Sequence, residues 1–312
     1  MRKFIVLISI FFTLLLLVMA GTFWLKPKGQ VGGYYERFAS PKASSLILGS
    51  SMAAQDIDPM VIDSVFNNVY KLPIYNYSFS IHTSPYGAVY TKSILRKLAH
   101  NGQRNSLFIL AVDPFSIGNS LTDVEGGKRR EEGGYLDNMW CVHHVPNIEY
   151  LIRYCVLDKQ FYKKTTSTGF INESGRYVSG FQMNEDSAEV LKRIHEVILP
   201  DYYDNILPNY SPSNERVESL MQLVRQLRER GDVFLVRLPV GPEISMITDS
   251  IYPNFDQDMK EWASHEGVGY INFKADSARY RTTDGVHLYA SEGSRLTLAL
   301  CDSIKALKKH EQ

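Results

Sequence analysis

Residues 106–112 read Ser-Leu-Phe-Ile-Leu-Ala-Val, a continuous apolar run that ends at Asp113-Pro114. A short run of this kind is typical of a strand buried on both faces inside a parallel sheet. Residues 45–48 end in Leu46-Ile47-Leu48 and predict a second buried strand. These two segments indicate a sheet at the centre of the fold.

Strands and helices alternate on either side of these two segments. Further strands are predicted at 73–79, 233–238 and 269–273. Helices are predicted at 58–66, 84–98, from 211 up to Gly231, at 255–265 and at 291–308. In the first of these, Asp58 is the predicted N-cap and Pro59 occupies the N1 position. Repeated β-α units of this kind predict a three-layer α/β fold with a parallel sheet and helices on both faces.

Residues 115–210 interrupt this alternation. The segment is rich in Tyr, Gly and Asn, and contains charge clusters such as the one at 128–132. A structureless loop of this length is unusual, so we expect a lid or subdomain over one sheet edge. Helical pieces are predicted near 148–157 and 186–198. Its aromatic residues, Trp140 among them, either pack the insertion onto the core or line a substrate groove.

The N-terminal residues have the pattern of a targeting segment. Arg2 and Lys3 precede an apolar run over 4–25 without charge, and Lys26 follows it. As a helix this run spans roughly 30 Å, enough to cross a bilayer. The run extends past the cleavage-site pattern at 18–20, which favours an uncleaved anchor over a cleaved signal peptide. We therefore predict a signal anchor at 1–26, a linker at 27–41 and an α/β domain at 42–312. The protein would be a single-pass protein of the cell membrane with that domain outside the cytoplasm.

Composition excludes several classes of function. The chain has 312 residues, with 34 Lys and Arg against 34 Asp and Glu, so no overall field attracts nucleic acid. Three cysteines are too few and too scattered for a disulfide framework or a zinc site. A Cys141–Cys155 bridge and free buried thiols both stay open. Nothing in the sequence predicts a metal or another cofactor.

Polar residues lie in the loops that follow four of the predicted strands. Gly49-Ser50-Ser51 follows the first strand, Ser78 and Ser80 follow the second, and Asp113 follows the third. The loop after the last strand holds Asp284-Gly285-Val286-His287. Ligands of open α/β sheets bind beyond the carboxyl ends of the strands, so these groups should converge. A serine hydroxyl, an imidazole and a carboxylate are the groups that Ser-His-Asp acyl transfer uses.

With these motifs the chain resembles the SGNH (GDSL-like) hydrolase superfamily, from about Leu46 onward and apart from the insertion. The resemblance implies a three-layer, flavodoxin-like SGNH fold with an insertion after the third strand. It also implies that Ser51 is the nucleophile, that His287 is the general base and that Asp284 orients His287. The family's usual Asp is Ser50 here.

With Ser50 in place of that Asp, the motif resembles a branch of the superfamily that includes membrane-anchored proteins acting on cell-envelope polymers. The teichoic acid D-alanylation and alginate acetylation proteins belong to this branch. The narrower resemblance implies an esterase or O-acyltransferase for acylated envelope carbohydrate. Attachment to the membrane is expected from the N-terminal segment, and a membrane-bound acyltransferase is the partner expected if the protein acts as a scaffold.

The chain departs from the family at the expected oxyanion hole. The family uses the N–H of the nucleophile, a Gly after the second strand and an Asn after the third. Residues 76–81 contain no Gly here, and Asp113 stands where Asn is expected. An ionised Asp cannot donate a hydrogen bond. The candidate donors are therefore Ser51 and the backbone N–H groups near Ser78 and Ser80, with Asp113 displaced or protonated by burial, or else catalysis is weak.

Other interpretations stay open for each motif. Ser51 is also a plausible turn cap, and Asp284 a turn residue. His82, His143 and His144 are weaker candidates, and an adjacent pair such as His143-His144 is more often structural than a metal site. The competing function is a non-catalytic SGNH-like module that binds glycan or acts as a scaffold in an envelope assembly. A nucleotide site is disfavoured, since residues 49–51 lack the glycines and Lys of a phosphate-binding loop.

Overall fold

The computed structural model of the protein describes residues 1–24, 34–99, 102, 104–123, 127–156, 169–181 and 186–310. Its strands, in chain order, are β1 (Ser45–Leu48), β2 (Ile74–Asn76), β3 (Ser106–Ala111), β4 (Gly118–Asp123), β5 (Lys128–Arg129), β6 (Phe170–Ile171), β7 (Tyr177–Val178), β8 (Tyr210–Pro212), β9 (Gly231–Arg237) and β10 (Gly269–Asn272). Its α-helices are α1 (Arg2–Trp24), α2 (Tyr35–Ala39), α3 (Ser51–Asp56), α4 (Pro59–Val65), α5 (Ala88–Lys97), α6 (Tyr135–Asn138), α7 (Ile148–Tyr150), α8 (Ser187–Arg193), α9 (Leu199–Asp201), α10 (Asn214–Arg228), α11 (Pro242–Ile251), α12 (Phe255–His265) and α13 (Ala290–His310). Shorter 3₁₀ or π-helical segments occur at Pro114–Ile117, Leu151–Val156, Ile194–Ile198, Tyr202–Ile206, Leu207–Asn209 and Lys274–Arg279.

The central sheet has five parallel strands in the order β2-β1-β3-β9-β10. Ile47 of β1 lies opposite Ile109 of β3, which in turn lies opposite Phe234 of β9. The predicted central parallel sheet is therefore confirmed. Its strand order is that of flavodoxin-like folds, in which ligands bind beyond the carboxyl ends of the strands.

Alternate residues of the sheet pack against helices on opposite faces. Phe108 and Leu110 of β3 share a buried cluster with side chains of α5, α10 and α12. Leu107 and Ile109 share a second buried cluster with side chains of α4 and α13. The side chains of a strand point alternately to its two faces, so this division places helices on both sides of the sheet. The result is the predicted three-layer arrangement.

Helix boundaries follow local capping except where a distant contact competes. Asp58 caps α4 as predicted, because its carboxylate accepts from the N–H of the second helical residue at 3.1 Å. The helix expected from 84 begins only at Ala88, since the Ser84 hydroxyl donates to the carbonyl of Gly49 at 2.7 Å instead. The helix expected from 211 begins after Ser213, because residues 210–212 pair with β4.

The segment after β3 forms structure of its own. Strands β5, β4 and β8 make a second, antiparallel sheet, and β6 and β7 form a hairpin. Helical segments occur in both predicted places, at Ile148–Tyr150 with Leu151–Val156 and at Ser187–Arg193 with Ile194–Ile198, while Leu157 lies outside the described residues. The insertion therefore contains regular elements and packs on the α/β core.

Two buried arginines attach the insertion to the core. Arg176, between β6 and β7, pairs with Asp58 and donates to the carbonyls of Gln55 and Ala290 at 2.9 and 2.7 Å. Arg216 of α10 pairs with Glu131 of the insertion, and both side chains are almost fully buried. These contacts connect segments that lie far apart in the sequence.

The N-terminal helix differs from its prediction. Helix α1 forms over Arg2–Trp24, while Leu25 and Lys26 lie outside the described residues. Among the helices in the described ranges, none is both long and apolar enough to cross a membrane. The predicted transmembrane anchor at 1–26 is therefore not supported. Of the segment expected to be a linker at 27–41, residues 35–39 form α2, and residues 27–33 lie outside the described ranges.

Candidate active site

Ser51 lies directly after a tight turn that only glycine accommodates well. Gly49 has φ +144°, and a Cβ at this position would lie 3.0 Å from the Cβ of Ala111. The Gly49 N–H donates to the Tyr90 hydroxyl at 3.1 Å, and the Gly49 carbonyl accepts from the Ser84 hydroxyl. Because its steric contacts and hydrogen bonds hold this turn, Ser51 has a defined position as the first residue of α3.

The loop before α13 brings Asp284 and His287 to this hydroxyl. Oδ1 of Asp284 accepts from the backbone N–H groups of Val286 and His287, at 2.9 and 2.7 Å. Oδ2 of Asp284 lies 2.8 Å from His287 Nδ1, and His287 Nε2 lies 2.9 Å from Ser51 Oγ. A carboxylate only accepts, so Nδ1 carries the proton and Nε2 accepts from the Ser51 hydroxyl. The three side chains therefore form one hydrogen-bonded chain.

Burial and charge act on the pKa values of this chain in opposite directions. Burial raises the pKa of Asp284, but the adjacent imidazole and the hydrogen bonds from His287 and Val286 outweigh it, so the pKa lies below its usual value. Burial lowers the pKa of His287, and the charge and hydrogen bond of Asp284 outweigh that effect and raise it. The pair therefore favours an ionised Asp284 beside an imidazole of increased basicity.

Asp56 is a second buried carboxyl beside this chain, and the sequence contains no signal for it. Its Oδ1 accepts from the N–H of Leu288 at 2.9 Å, while its Oδ2 has no hydrogen-bond partner among the described residues. Burial raises the pKa of Asp56 to about 7, although the nearby His287 lowers it. Asp56 in turn raises the pKa of His287.

A cavity of about 220 Å³ opens beside Ser51 and His287. The insertion forms one of its walls, with Tyr202 among the lining side chains. The expectation that aromatic residues of the insertion line a groove thus fits Tyr202. Trp140 does not line this cavity, because its largely exposed ring stacks on the Arg96 guanidinium at 4.2 Å.

Asp113 lines the same cavity but serves as a helix cap. Its Oδ1 accepts from the N–H groups of Phe115 and Ser116, at 2.8 and 3.0 Å. Burial raises the pKa of Asp113, and these two hydrogen bonds oppose that rise. The carboxyl group therefore accepts hydrogen bonds from the following helical turn. An oxyanion requires a hydrogen-bond donor instead.

The two serines after β2 are engaged elsewhere. Ser78 is fully buried, its hydroxyl donates to the carbonyl of Ile47 at 3.3 Å, and its N–H donates to Oδ1 of Asn76 at 3.3 Å. The Ser80 hydroxyl shares a 2.8 Å hydrogen bond with Thr83. Neither serine lines the cavity described above.

The N-terminus of α3 offers the remaining donors. The first N–H groups of a helix have no acceptor within the helix, and the Ser50 side chain forms no capping hydrogen bond here. Both Ser51 and Met52 lie in this first turn and line the cavity. Their backbone N–H groups are therefore candidate donors to an oxygen bound near Ser51 Oγ.

The weaker histidine candidates have other partners. Arg130 donates to Nε2 of His82 at 3.2 Å at the cavity wall. The rings of His143 and His144 pack 4.4 Å apart, and Nδ1 of His144 lies 3.2 Å from the free thiol of Cys141. The side chain of Cys155 lies outside the described residues. In the part of the chain that the structure describes, no three His, Cys, Asp or Glu side chains form a metal-binding group.

Comparisons with known proteins give distant structural likenesses. No protein-family model matches the chain, and no curated protein matches it. Among solved structures, Est24, a carbohydrate acetylesterase from Sinorhizobium meliloti, is 12% identical over 85% of this chain and 100% of its own, with a TM-score of 0.39. An inhibitor-bound aryl esterase of M. smegmatis is 12% identical over 84% and 99%, with a TM-score of 0.36. At these values neither likeness assigns a family or an activity to this chain.

Proposed function

We propose that the protein is a serine esterase that forms an acyl-enzyme at Ser51. One observation carries the proposal, namely the hydrogen-bonded chain from Asp284 through His287 to Ser51 at the wall of a cavity. Ser-His-Asp sites are recognised by this geometry and by the roles of the groups, whatever the fold. The pKa of His287, raised by Asp284, suits a general base.

The proposed reaction has two steps. Nε2 of His287 takes the proton of Ser51 Oγ, which attacks the ester carbonyl carbon. The bond to the alcohol then breaks, and His287 returns the proton to the departing alkoxide. Water attacks the acyl-enzyme in the same way and releases the carboxylic acid with Ser51 restored. The N–H groups of Ser51 and Met52 would stabilise the oxyanion in both steps.

The proposal for the natural substrate rests on the sequence resemblance. We propose an acylated carbohydrate, or another envelope polymer, met outside the cytoplasm. Discharge of the acyl-enzyme to a sugar hydroxyl in place of water would make the protein an O-acyltransferase, and both outcomes share the first step. For the alternative scaffold function, the proposed partner is a membrane-bound acyltransferase.

A serine-directed fluorophosphonate tests the proposal. We expect the wild-type protein to be labelled at Ser51 with loss of fluoride, because the hydrogen bond to His287 activates this hydroxyl. Ser51→Ala should abolish the label, as measured by mass spectrometry of the intact protein. Ser303→Ala is the matched control, since that hydroxyl donates to the carbonyl of Ala299 within α13. An unlabelled wild-type protein would favour the glycan-binding or scaffold function instead.

Activity should also depend on pH in a defined direction. His287 accepts a proton only when neutral, and its raised pKa places the midpoint of the acid limb above the usual value of about 6.5. Asp284→Asn removes the main raising effect, so the midpoint should move to lower pH while the rate falls. The measurement is kcat/KM for a p-nitrophenyl ester between pH 5 and 9.

Asp276→Asn is the control for this experiment. Asp276 is partly exposed and pairs with Arg279 at 3.1 Å, so its variant should keep the wild-type acid limb. An acid limb that does not move in Asp284→Asn would contradict the role assigned to Asp284.

A further inference from the structure

The cavity beside Ser51 has mainly apolar walls. The core and the insertion both contribute apolar side chains to it, namely Val240, Ile244 and Val286 from the core and Ile198, Tyr202 and Ile206 from the insertion. Most of these side chains belong to one buried hydrophobic cluster. An acyl group bound to Ser51 would therefore lie against hydrocarbon.

The charged side chains of the cavity wall already have partners. Arg237 pairs with Asp256 at 2.6 Å and donates to the Thr248 hydroxyl at 3.3 Å. Asp113 caps its helical turn, and Asp201 accepts from the side-chain amide of Asn205 at 2.8 Å. A hydrocarbon chain in the cavity would leave none of these hydrogen bonds unmade. Burying a polar acyl group, by contrast, costs free energy unless new partners are found.

The size of the cavity exceeds what a short acyl group fills. An engineered cavity of about 150 Å³ lined by Leu, Ile and Phe binds benzene, so about 220 Å³ has room for roughly six to eight carbon atoms. An acetyl group would leave most of this space empty. The walls would then lose the dispersion contacts that a longer chain provides.

We propose that this cavity is an acyl pocket for an unbranched hydrocarbon chain of roughly six to eight carbons. The inference rests on the proposed esterase function and names the acyl class of its substrate. Ile198 and Ile206 are the residues that set the chain length, because the insertion contributes them to the apolar wall of the cavity.

A series of p-nitrophenyl esters from acetate to dodecanoate measures the chain-length preference. Each buried CH₂ group should raise kcat/KM about fourfold, so hexanoate should exceed acetate by about 10²-fold. The values should peak at hexanoate or octanoate and fall for longer chains that the pocket cannot hold. A protein that is active but prefers acetate, or shows no dependence on chain length, would overturn the proposal.

A substitution in the wall tests the pocket directly. Ile198→Phe should lower kcat/KM for octanoate at least tenfold and leave acetate within about twofold, because a larger side chain takes up volume that only a long acyl chain needs. Val197→Phe is the matched control, since this neighbouring side chain is exposed and should keep the wild-type profile. If Ile198→Phe does not fold, as judged by its thermal melting, Ile206→Phe provides the same test. Equal loss for all esters would overturn the assignment.

Binding separates this inference from the proposed function. Calorimetry of sodium octanoate and butyrate with the Ser51→Ala protein needs no turnover. Octanoate binding at least tenfold tighter than butyrate would support the pocket even if no ester were hydrolysed, in which case only the esterase proposal fails. Equal affinity for the two acids would overturn the pocket and leave the fluorophosphonate result unaffected.

Discussion

Replacement of His287 by alanine is expected to lower kcat for ester hydrolysis by about 10⁶-fold. His287 joins the carboxylate of Asp284 to the hydroxyl of Ser51 through bonds of 2.8 and 2.9 Å, so its loss leaves no base for the Ser51 proton. The measurement is the steady-state rate with a p-nitrophenyl ester. His265→Ala is the control, because this exposed histidine of α12 lies on the protein surface.

The double variant sharpens this expectation. Residues that act as a unit have non-additive effects, so Ser51→Ala with His287→Ala should cost no more than either change alone, on the order of 10⁶-fold. Multiplication of the two effects would show that they act independently. That result would contradict the proposed proton transfer between Ser51 and His287.

Arg216→Met is expected to destabilise the protein by about 3–5 kcal/mol. The Arg216 side chain is fully buried, pairs with Glu131, and donates to the carbonyl of Tyr86 at 3.1 Å and to Asn119 Oδ1 at 2.9 Å. Without it, Glu131 becomes a buried carboxylate without a counter-ion. The free energy of unfolding in urea, followed by circular dichroism, measures the effect.

A second substitution shows whether the loss of stability in Arg216→Met comes from the unpaired charge of Glu131 or from lost packing. Arg216→Met combined with Glu131→Leu should recover much of the stability, because buried ion pairs can often be replaced by apolar residues of similar volume. Arg228→Met on the same helix is the surface control, since that side chain is exposed, and it should barely move the unfolding midpoint. A double variant as unstable as Arg216→Met would show that the uncompensated charge is not the cause.

Local sequence patterns predicted much of the fold. They also predicted that Ser51, Asp284 and His287 lie close together. The apolar run at 106–112 became β3, and α12 begins and ends where its prediction placed it. Ser51, Asp284 and His287 meet because parallel strands share one carboxyl edge, which topology alone implies. Their roles in catalysis stay a prediction that the proposed experiments test.

Features that depend on distant partners were not predictable from local patterns. Asp56 has no sequence signal, because its partner Leu288 lies 232 residues away along the chain. The late start of α5 likewise depends on the hydrogen bond from the Ser84 hydroxyl to the Gly49 carbonyl. Asp113 caps a 3₁₀ turn that hydrophobic periodicity does not predict. The walls of the cavity depend on packing of the insertion, whose weak periodicity leaves its docking undetermined.

Arg176 determines which deletions in the insertion would keep a connection between two segments of the core. Its guanidinium joins the carbonyl of Gln55, near the end of the helix that Ser51 begins, to that of Ala290, three residues after His287. The hairpin in the insertion therefore connects the two segments that carry the proposed reacting side chains. Deletions elsewhere in the insertion would keep this connection, while removal of the whole insertion would take it away.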